Sequence, residues 1–324
     1  MSNLDHIREP VKLEMKEFNR RFKNSISSNI PLLNIVTGYV LRRKGKQIRP
    51  LFVFLSSKIT GEITESTYTA ASLIELMHTA TLVHDDVVDE SNQRRGAFSV
   101  NAIWKSKVAV LFGDYLLAKG LLLAVQQKDF GLLEIVSDAS RQMSEGELLQ
   151  LQKSRSLNID IDTYYEVIRK KTATLIASCV ACGAFASGAG QEEVDRLYNM
   201  GIQIGMAFQI KDDLLDYQAN GLTGKPSGND IKEKKFTLPL IFALNQAESR
   251  DRKMIIRKIK NGKRSQRVVN EVVQFVNDLG GIEFAESKMQ EFKHDALEQL
   301  MQYPDTPARE AMKNLVEFTV SRKK

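Results

Sequence analysis

The stretch LIELMHTATLVHDDVVDE, residues 73–90, decides the fold class. Leu73, Leu76, Met77, Ala80 and Val83 recur at the i, i+3, i+4 spacing of an amphipathic helix. Strict apolar–polar alternation, the mark of a half-buried strand, is missing. None of the seven prolines falls between residues 51 and 225, which leaves room for long uninterrupted helices. Worked outward, the pattern predicts about twelve helices, with boundaries near 4–24, 30–43, 48–59, 64–89, 102–126, 131–154, 163–188, 191–219, 237–248, 250–261, 265–279, 282–302 and 305–320, two of these being fused. Thr163–Glu166 reads as a capping box, and Gly61, Gly131, Gly190 and Gly280–Gly281 fall where helices should stop. No composition break reads as a linker, so a single all-α domain over residues 1–324 is expected.

The composition, 43% hydrophobic and 27% charged, is that of an ordinary globular chain and excludes a disordered or collagen-like one. The net charge of +6 would suit nucleic acid, a membrane face or a small anion. The basic clusters Lys258–Arg267 and Arg322–Lys324 lack interleaved aromatics, which argues against a single-strand binder, and an ordinary solvated surface is expected there. Cys179 and Cys182 are too few for a disulfide framework, have no second pair to complete a metal site, and read as buried packing thiols. MSNLDHIREPVK has no apolar signal core, and no uninterrupted apolar run reaches the roughly eighteen residues of a spanning helix. A cytoplasmic protein is the expectation.

The chemistry lies in two acidic clusters. Asp85 and Asp89 fall one turn apart on one helix face, where two carboxylates repel unless a cation sits between them. Residues 209–216, QIKDDLLD, repeat the arrangement with Asp212, Asp213 and Asp216. Oxygen-rich, nitrogen-poor clusters suit hard cations such as magnesium, which prefers a few carboxylates plus phosphate oxygens. An EF-hand is excluded by the spacing and the missing loop glycine. Solvated helix ends would explain one cluster, but not two that each follow an apolar helix and lie near cations. Those cations suit a diphosphate: Lys46 and Arg49 at a helix start, Arg94 and Arg95 after the first cluster, Lys171 beside Thr172 in an apolar helix, and Lys225 and Lys235 around the loop after the second.

With GKQIRP (45–50), HTATLVHDDVVDESNQRRG (78–96), GD (113–114), KT (171–172), FQIKDDLLD (208–216) and GKPSGNDIKEKKFTLPL (224–240) in this order, the chain resembles the trans-polyprenyl diphosphate synthases over nearly its whole length. The resemblance implies the class I isoprenoid synthase helical bundle with a central cavity, a homodimer, and magnesium, roughly three ions with substrate bound. It implies Asp85, Asp89 and Asp212 as metal ligands, with Asp86, Asp213 and Asp216 supporting. Isopentenyl diphosphate would be held by Lys46, Arg49, His78 and Arg95. The allylic diphosphate would be held by Arg94, Lys171, Thr172, Gln209, Lys225 and Lys235. The tail Arg322–Lys324 is similar to one that closes over phosphate. Gln47 stands where arginine is commoner, and the loop after the second cluster carries one extra residue, which bears on Lys225. No nucleic-acid partner is implied; transient membrane contact is expected as a lipid product leaves.

In this family the product tail grows from the first cluster along the helix before it, and short-chain members place bulky aromatics just ahead of the cluster. Here Ala80 and Thr81 stand there. At about 100° per residue, Thr81 lies near the Asp85 face and Ala80 well off it. Neither is large enough for a floor. The tail should pass one or two turns deeper, at about 5.4 Å per turn, toward Met77, Leu73, Ile74, Tyr115, Leu116 and Lys119. A product of roughly thirty-five to forty-five carbons is expected, octaprenyl foremost, with a geranylgeranyl or farnesyl product as the alternative. A class I terpene cyclase would carry an Asn/Asp-Ser/Thr-Glu type motif in place of the second cluster, and a non-catalytic partner subunit would lack both clusters. A basic nucleic-acid binder leaves them unexplained.

Overall fold

The computed structural model describes residues 3–42, 45–94, 96–156, 160–217, 228–261 and 265–321. In chain order the helices are α1 (Asn3–Arg8), α2 (Lys12–Ser25), α3 (Pro31–Arg42), α4 (Ile48–Thr60) and α5 (Glu65–Val88). A two-stranded hairpin follows, β1 (Gln93–Arg94) antiparallel to β2 (Ala97–Phe98). Then come α6 (Val100–Gln127), α7 (Phe130–Ser156), α8 (Ile161–Ile168), a π turn (Arg169–Ala173), α9 (Thr174–Ala186) and α10 (Gln191–Tyr217). The short α11 (Asn229–Lys232) precedes α12 (Leu238–Gln246), α13 (Ser249–Asn261), α14 (Gln266–Asp278), α15 (Gly281–Leu300) and α16 (Pro307–Ser321). The chain divides into two compact units: residues 1–140, 178–198 and 303–312 in the first, and 141–177, 199–302 and 313–324 in the second.

In the first unit, α5 lies along α6 and α4. Phe18, Phe22, Phe54 and Tyr68 form a run of aromatic contacts, with ring centroids 5.3–6.0 Å apart. Thr64 and Thr67 cap α5 reciprocally. Gly183 packs directly against the Val53 carbonyl and Ser56. The same approach lets Ser56 donate to the Val180 carbonyl at 2.5 Å. In the second unit, α12 packs on α15, with Phe242 stacked on Phe284 at 4.1 Å. Gly201 and Gly205 bring α10 against the backbone of Ala177 and Ala173. Gly146 brings α7 to within 2.9 Å of the Lys171 backbone nitrogen, counting from where a side chain would begin.

Most predicted boundaries agree with the observed ones to within a few residues. The exceptions have local causes. The helix expected from 163 begins two residues earlier, because Asp160, not Thr163, is the cap and accepts from the Thr163 N–H at 2.7 Å. It is then broken by the π turn. Gly131 does not stop a helix; it lies at the start of α7, where it makes room for the Phe185 ring. By length and composition one helix, α6, could cross a membrane: its best window has a mean hydropathy of 1.9 and is 33% buried. Asp114 and Lys119 interrupt its apolar run, which is why a search for uninterrupted runs passes over it.

Within α6, Lys105 has φ 70° and ψ 165°, a backbone region essentially confined to glycine. Such a residue stores of the order of 1–3 kcal/mol. Lys105 is exposed, so little packing is lost on replacement. Lys105→Gly is expected to raise the melting temperature by a few degrees, about 1 kcal/mol after glycine's own entropic cost. An unchanged or lowered melting temperature in differential scanning calorimetry would contradict a strained kink.

Candidate active site

The first acidic cluster closes α5 within the first unit. Asp85 and Asp89 share a face, Asp89 being the C-cap, with its N–H on the Asp85 carbonyl at 2.8 Å. Asp86 is about 100° away from that face. It is 2% exposed and accepts from Arg94 Nε at 2.6 Å. Burial raises the Asp86 carboxyl above its usual range, with the Arg94 hydrogen bond and charge working against this. Asp86, expected to support the metal ligands, and Arg94, expected at the allylic diphosphate, therefore hold each other and tie the hairpin to α5. His84 packs directly on Gly113 of α6 and lies 3.5 Å from Asp114, which gives the Gly-Asp pair at 113–114 a structural role.

An open cavity of about 750 Å³ on this side of α5 is lined by Gly45, Gln47, Glu75, His78, Asp86 and Arg94 together with Phe22, Tyr39, Leu82 and Phe98. Gln47 takes a left-handed conformation, φ 50°, and its amide donates to Asn19 Oδ1 at 2.9 Å. Arg8 donates to the Lys46 carbonyl at 2.6 Å. The chain 45–49 is thus fixed by backbone and amide contacts, leading into α4 with Lys46 exposed, Arg49 half-buried and His78 buried nearby on α5. Arg95, Lys225 and Arg322–Lys324 lie outside the described residues.

The second cluster lies in the second unit. A cavity of about 790 Å³ there is lined by Lys171, Thr172, Gln209, Asp212, Asp213 and Lys235, six residues expected from sequence, and by Gln150, Tyr164, Val167, Ile168, Asp230, Phe236 and Thr237. Lys171 is held by Glu147 and by Gln150, the latter at 2.8 Å. Thr172 donates to Gln209 at 2.8 Å. Gln209 in turn donates to Asp213 Oδ1 at 2.8 Å, and Tyr164 donates to Asp213 Oδ2 at 2.6 Å. Asp212 is exposed at the cavity, whereas Asp213 is buried. The Asp216 carboxylate accepts the N–H groups of Asn229 and Asp230 at 2.9 and 2.8 Å, at the start of α11. Lys235 pairs with Glu233 at 2.7 Å.

Burial, then the charge of Asp230, pushes the Asp213 carboxyl up to about 8, against the pull of Tyr164 and Gln209. Burial, then the charge of Asp216, pushes Asp230 up to about 7. Several carboxylates crowd one cavity, and a hard cation would relieve them. Among the described residues no three carboxylate, imidazole or thiol groups gather into a complete metal site. The first unit offers Asp85 and Asp89 on one helix face, and the second offers Asp212 at its cavity; carboxylates this few suit an ion that takes most of its oxygens from phosphate and water.

Sequence reading missed Tyr164, Gln150 and Asp230 as members of this cavity. Asp230 stood in a quoted motif without a role, and Tyr164 lay hidden inside an apparent capping box. Of the residues expected to bound the product tail, Met77 and Leu73 line a cavity of about 580 Å³ in the first unit, with Leu117, Gly120, Leu121, Leu133, Val136, Ser137 and Ser140. Leu116 borders a different, smaller cavity on the Phe22 side. Ile74 is fully buried, Tyr115 donates to the Ile26 and Ser27 carbonyls, and Lys119 sits over the Tyr115 ring, so these three turn elsewhere. Ala80 is also fully buried and is not among the residues of the 580 Å³ cavity.

Helices that end in paired aspartates, and a cavity beside one pair that carries both lysines and carboxylates, fit an all-α enzyme of the isoprenyl diphosphate class. Residues 30–276 match the family model described as polyprenyl synthetase, and the chain belongs to that family. It is similar to octaprenyl diphosphate synthase of Escherichia coli (strain K12), 35% identical over 321 residues, 99% of each chain. Among solved structures it is similar to a decaprenyl diphosphate synthase from Rhodobacter capsulatus, TM-score 0.93 at 33% identity, with 99% of each chain covered. It is also similar to a polyprenyl synthase from Caulobacter crescentus CB15 complexed with calcium and isoprenyl diphosphate, TM-score 0.90 at 32% identity, covering 99% of this chain and 98% of that one. The chain is a prenyltransferase of isoprenoid biosynthesis.

Proposed function

We propose that this enzyme condenses isopentenyl diphosphate with an allylic diphosphate to make a long-chain trans-polyprenyl diphosphate of roughly thirty-five to forty-five carbons, octaprenyl foremost. The observation that carries the length is the line Asp85, Thr81, Met77, Leu73 at i, i+4 spacing on α5, which leads from the first cluster to the 580 Å³ cavity with no aromatic across it. The name of the octaprenyl diphosphate synthase it resembles supports the same length, and that of the decaprenyl diphosphate synthase supports a long chain though a longer one.

Asp85 and Asp89 in the first unit and Asp212 in the second would hold magnesium; that the Caulobacter protein is complexed with calcium supports the use of a divalent ion. Bound with diphosphate, the metal would supply positive charge for the leaving group. Lys171 and Lys235 line the second-unit cavity, where they hold and neutralise the allylic diphosphate as its C–O bond breaks. Thr172 and Gln209 orient it. Lys46, Arg49 and His78 hold isopentenyl diphosphate, whose double bond attacks the allylic carbocation; the proton lost afterwards goes to the departing diphosphate. Arg95 and Lys225 join these sets on the family resemblance alone.

We take residues 1–324 as one isoprenoid synthase domain; the family match, which runs through segments of both units, supports this. A homodimer is supported by the exposed apolar side chains Val110, Leu111, Leu121, Leu122 and Val125 on α6, continued by Phe130. The buried free thiols Cys179 and Cys182 accord with a cytoplasmic setting. The test is direct. Purified protein with magnesium, labelled isopentenyl diphosphate and allylic starters should give products of the stated length by chromatography. Release of fifteen- or twenty-carbon diphosphates alone would overturn the long-chain reading, and no product at all would overturn the prenyltransferase.

A further inference from the structure

Helix α13, SRDRKMIIRKIKN, carries six basic residues and one acidic one in thirteen positions. The whole chain has a net charge of only +6, so almost all of its surplus sits on this helix. Four of the six cations share one face. Ile255 and Ile259 are buried, while Arg250, Lys253, Met254, Arg257 and Lys260 are exposed. At about 100° per residue the four exposed cations span only about 80° of the helix, opposite the two isoleucines.

Helix stability does not account for this arrangement. Arg250, Arg252 and Lys253 lie toward the N-terminal end, where the macrodipole disfavours cations. Nearby carboxylates are few. Asp251 lies to one side on the same helix, and Glu271 of α14 is engaged by Lys258 at 2.8 Å and Arg267 at 3.0 Å. Among the described residues, none of the four outward cations forms an ion pair. The end of α13 touches the segment that leads into the second-unit cavity: Lys234 donates to the Lys260 carbonyl at 3.0 Å, and the next residue, Lys235, lines that cavity.

We propose that the outward face of α13 docks the enzyme on an anionic lipid surface. The proposal rests on the synthase reading, in which the product is an amphiphile with a water-insoluble tail. Clusters of four to eight Lys and Arg on one helix face are matched to anionic lipid headgroups by charge. Because Ile255 and Ile259 face inward, the contact is mainly electrostatic, with Met254 and the half-buried Ile256 flanking the cationic face. No aromatic lies on the face to stack a base, which disfavours single-stranded nucleic acid.

The full-length enzyme, co-sedimented with vesicles, tests this. Binding should be at least ten-fold stronger to phosphatidylcholine containing about one-third phosphatidylglycerol than to phosphatidylcholine alone, and should fall away at about 0.5 M salt. The variant R250Q/K253Q/R257Q/K260Q should lose ten-fold or more of that binding while its detergent-assay rate stays at the wild-type value. R257Q/K260Q serves as a milder version should the quadruple change unfold. Equal binding to neutral and anionic vesicles, or undiminished binding by the folded variants, overturns the proposal. So does tighter binding to an oligonucleotide than to anionic vesicles. The detergent assay reports the synthase activity without vesicles, so failure of the docking idea and failure of the synthase reading are told apart.

Discussion

Asp212→Ala is expected to turn over at least about 10²-fold more slowly than wild type at saturating substrate, in line with the cost of deleting one preorganised electrostatic contact. Its melting temperature should hardly change, because Asp212 is exposed at its cavity and surface changes typically cost within about 0.5 kcal/mol. That combination separates chemistry from folding. The neighbouring Asp213→Ala cannot do so: it strips the hydrogen-bond acceptor from buried Tyr164 and from Gln209, and any lost activity would be mixed with lost stability. Asp85→Ala in the first unit should fall with Asp212→Ala. On the proposed metal roles, raising magnesium should recover part of the rate in either variant, since each would lose one ligand and keep the diphosphate's own oxygens. Full turnover of Asp212→Ala, measured by isopentenyl incorporation, would remove Asp212 from the metal site.

Within each acidic cluster the carboxylates divide their labour. Asp85 and Asp89 stay on one face at the end of α5, while Asp86 clasps the hairpin through Arg94. Asp212 faces its cavity, while Asp213 is bound by Tyr164 and Gln209, and Asp216 accepts N–H groups at the start of α11. The repeated spacing in the sequence revealed that helices end in carboxylates. It could not reveal this division, which is decided by partners 4 to 49 residues away.

Helices were legible because their periodicity is local and the prolines stay out of the way. The π turn at Arg169–Ala173 was not, since nothing in RKKTA distinguishes it from α-helix. It sits where Gly146 on α7 and Gly205 on α10 each let a neighbouring helix come to backbone contact, a tertiary condition. The same holds for the tail-lining residues. Met77 and Leu73 followed from the helical period of α5, but which side of α6 faces them did not. Gly120 settles that, its missing side chain leaving the Leu73 methyl 3.0 Å from where a Cβ would stand.

Product length should respond to bulk along α5 in register with distance from Asp85. Thr81 is one turn from Asp85, Met77 about 12 Å away and Leu73 about 18 Å away, at 1.5 Å per residue. An extended isoprene unit is four C–C bonds of about 1.5 Å, or roughly 5 Å. Thr81→Phe puts a ring across the path ahead of Met77, so product should shorten to roughly fifteen or twenty carbons with turnover largely kept, because the aspartates are untouched. Leu73→Trp blocks the path two turns further on and should stop growth about two units later. Ala80→Tyr, attractive from sequence alone, is the poorer test. Ala80 is fully buried and lies about 140° from the Asp85 face, so a tyrosine there would overpack the core at a cost of about 1–3 kcal/mol. Chromatography of the dephosphorylated products should therefore rank Thr81→Phe shortest, Leu73→Trp intermediate and wild type longest. Identical lengths from Thr81→Phe and wild type would mean that the tail does not run along this face of α5.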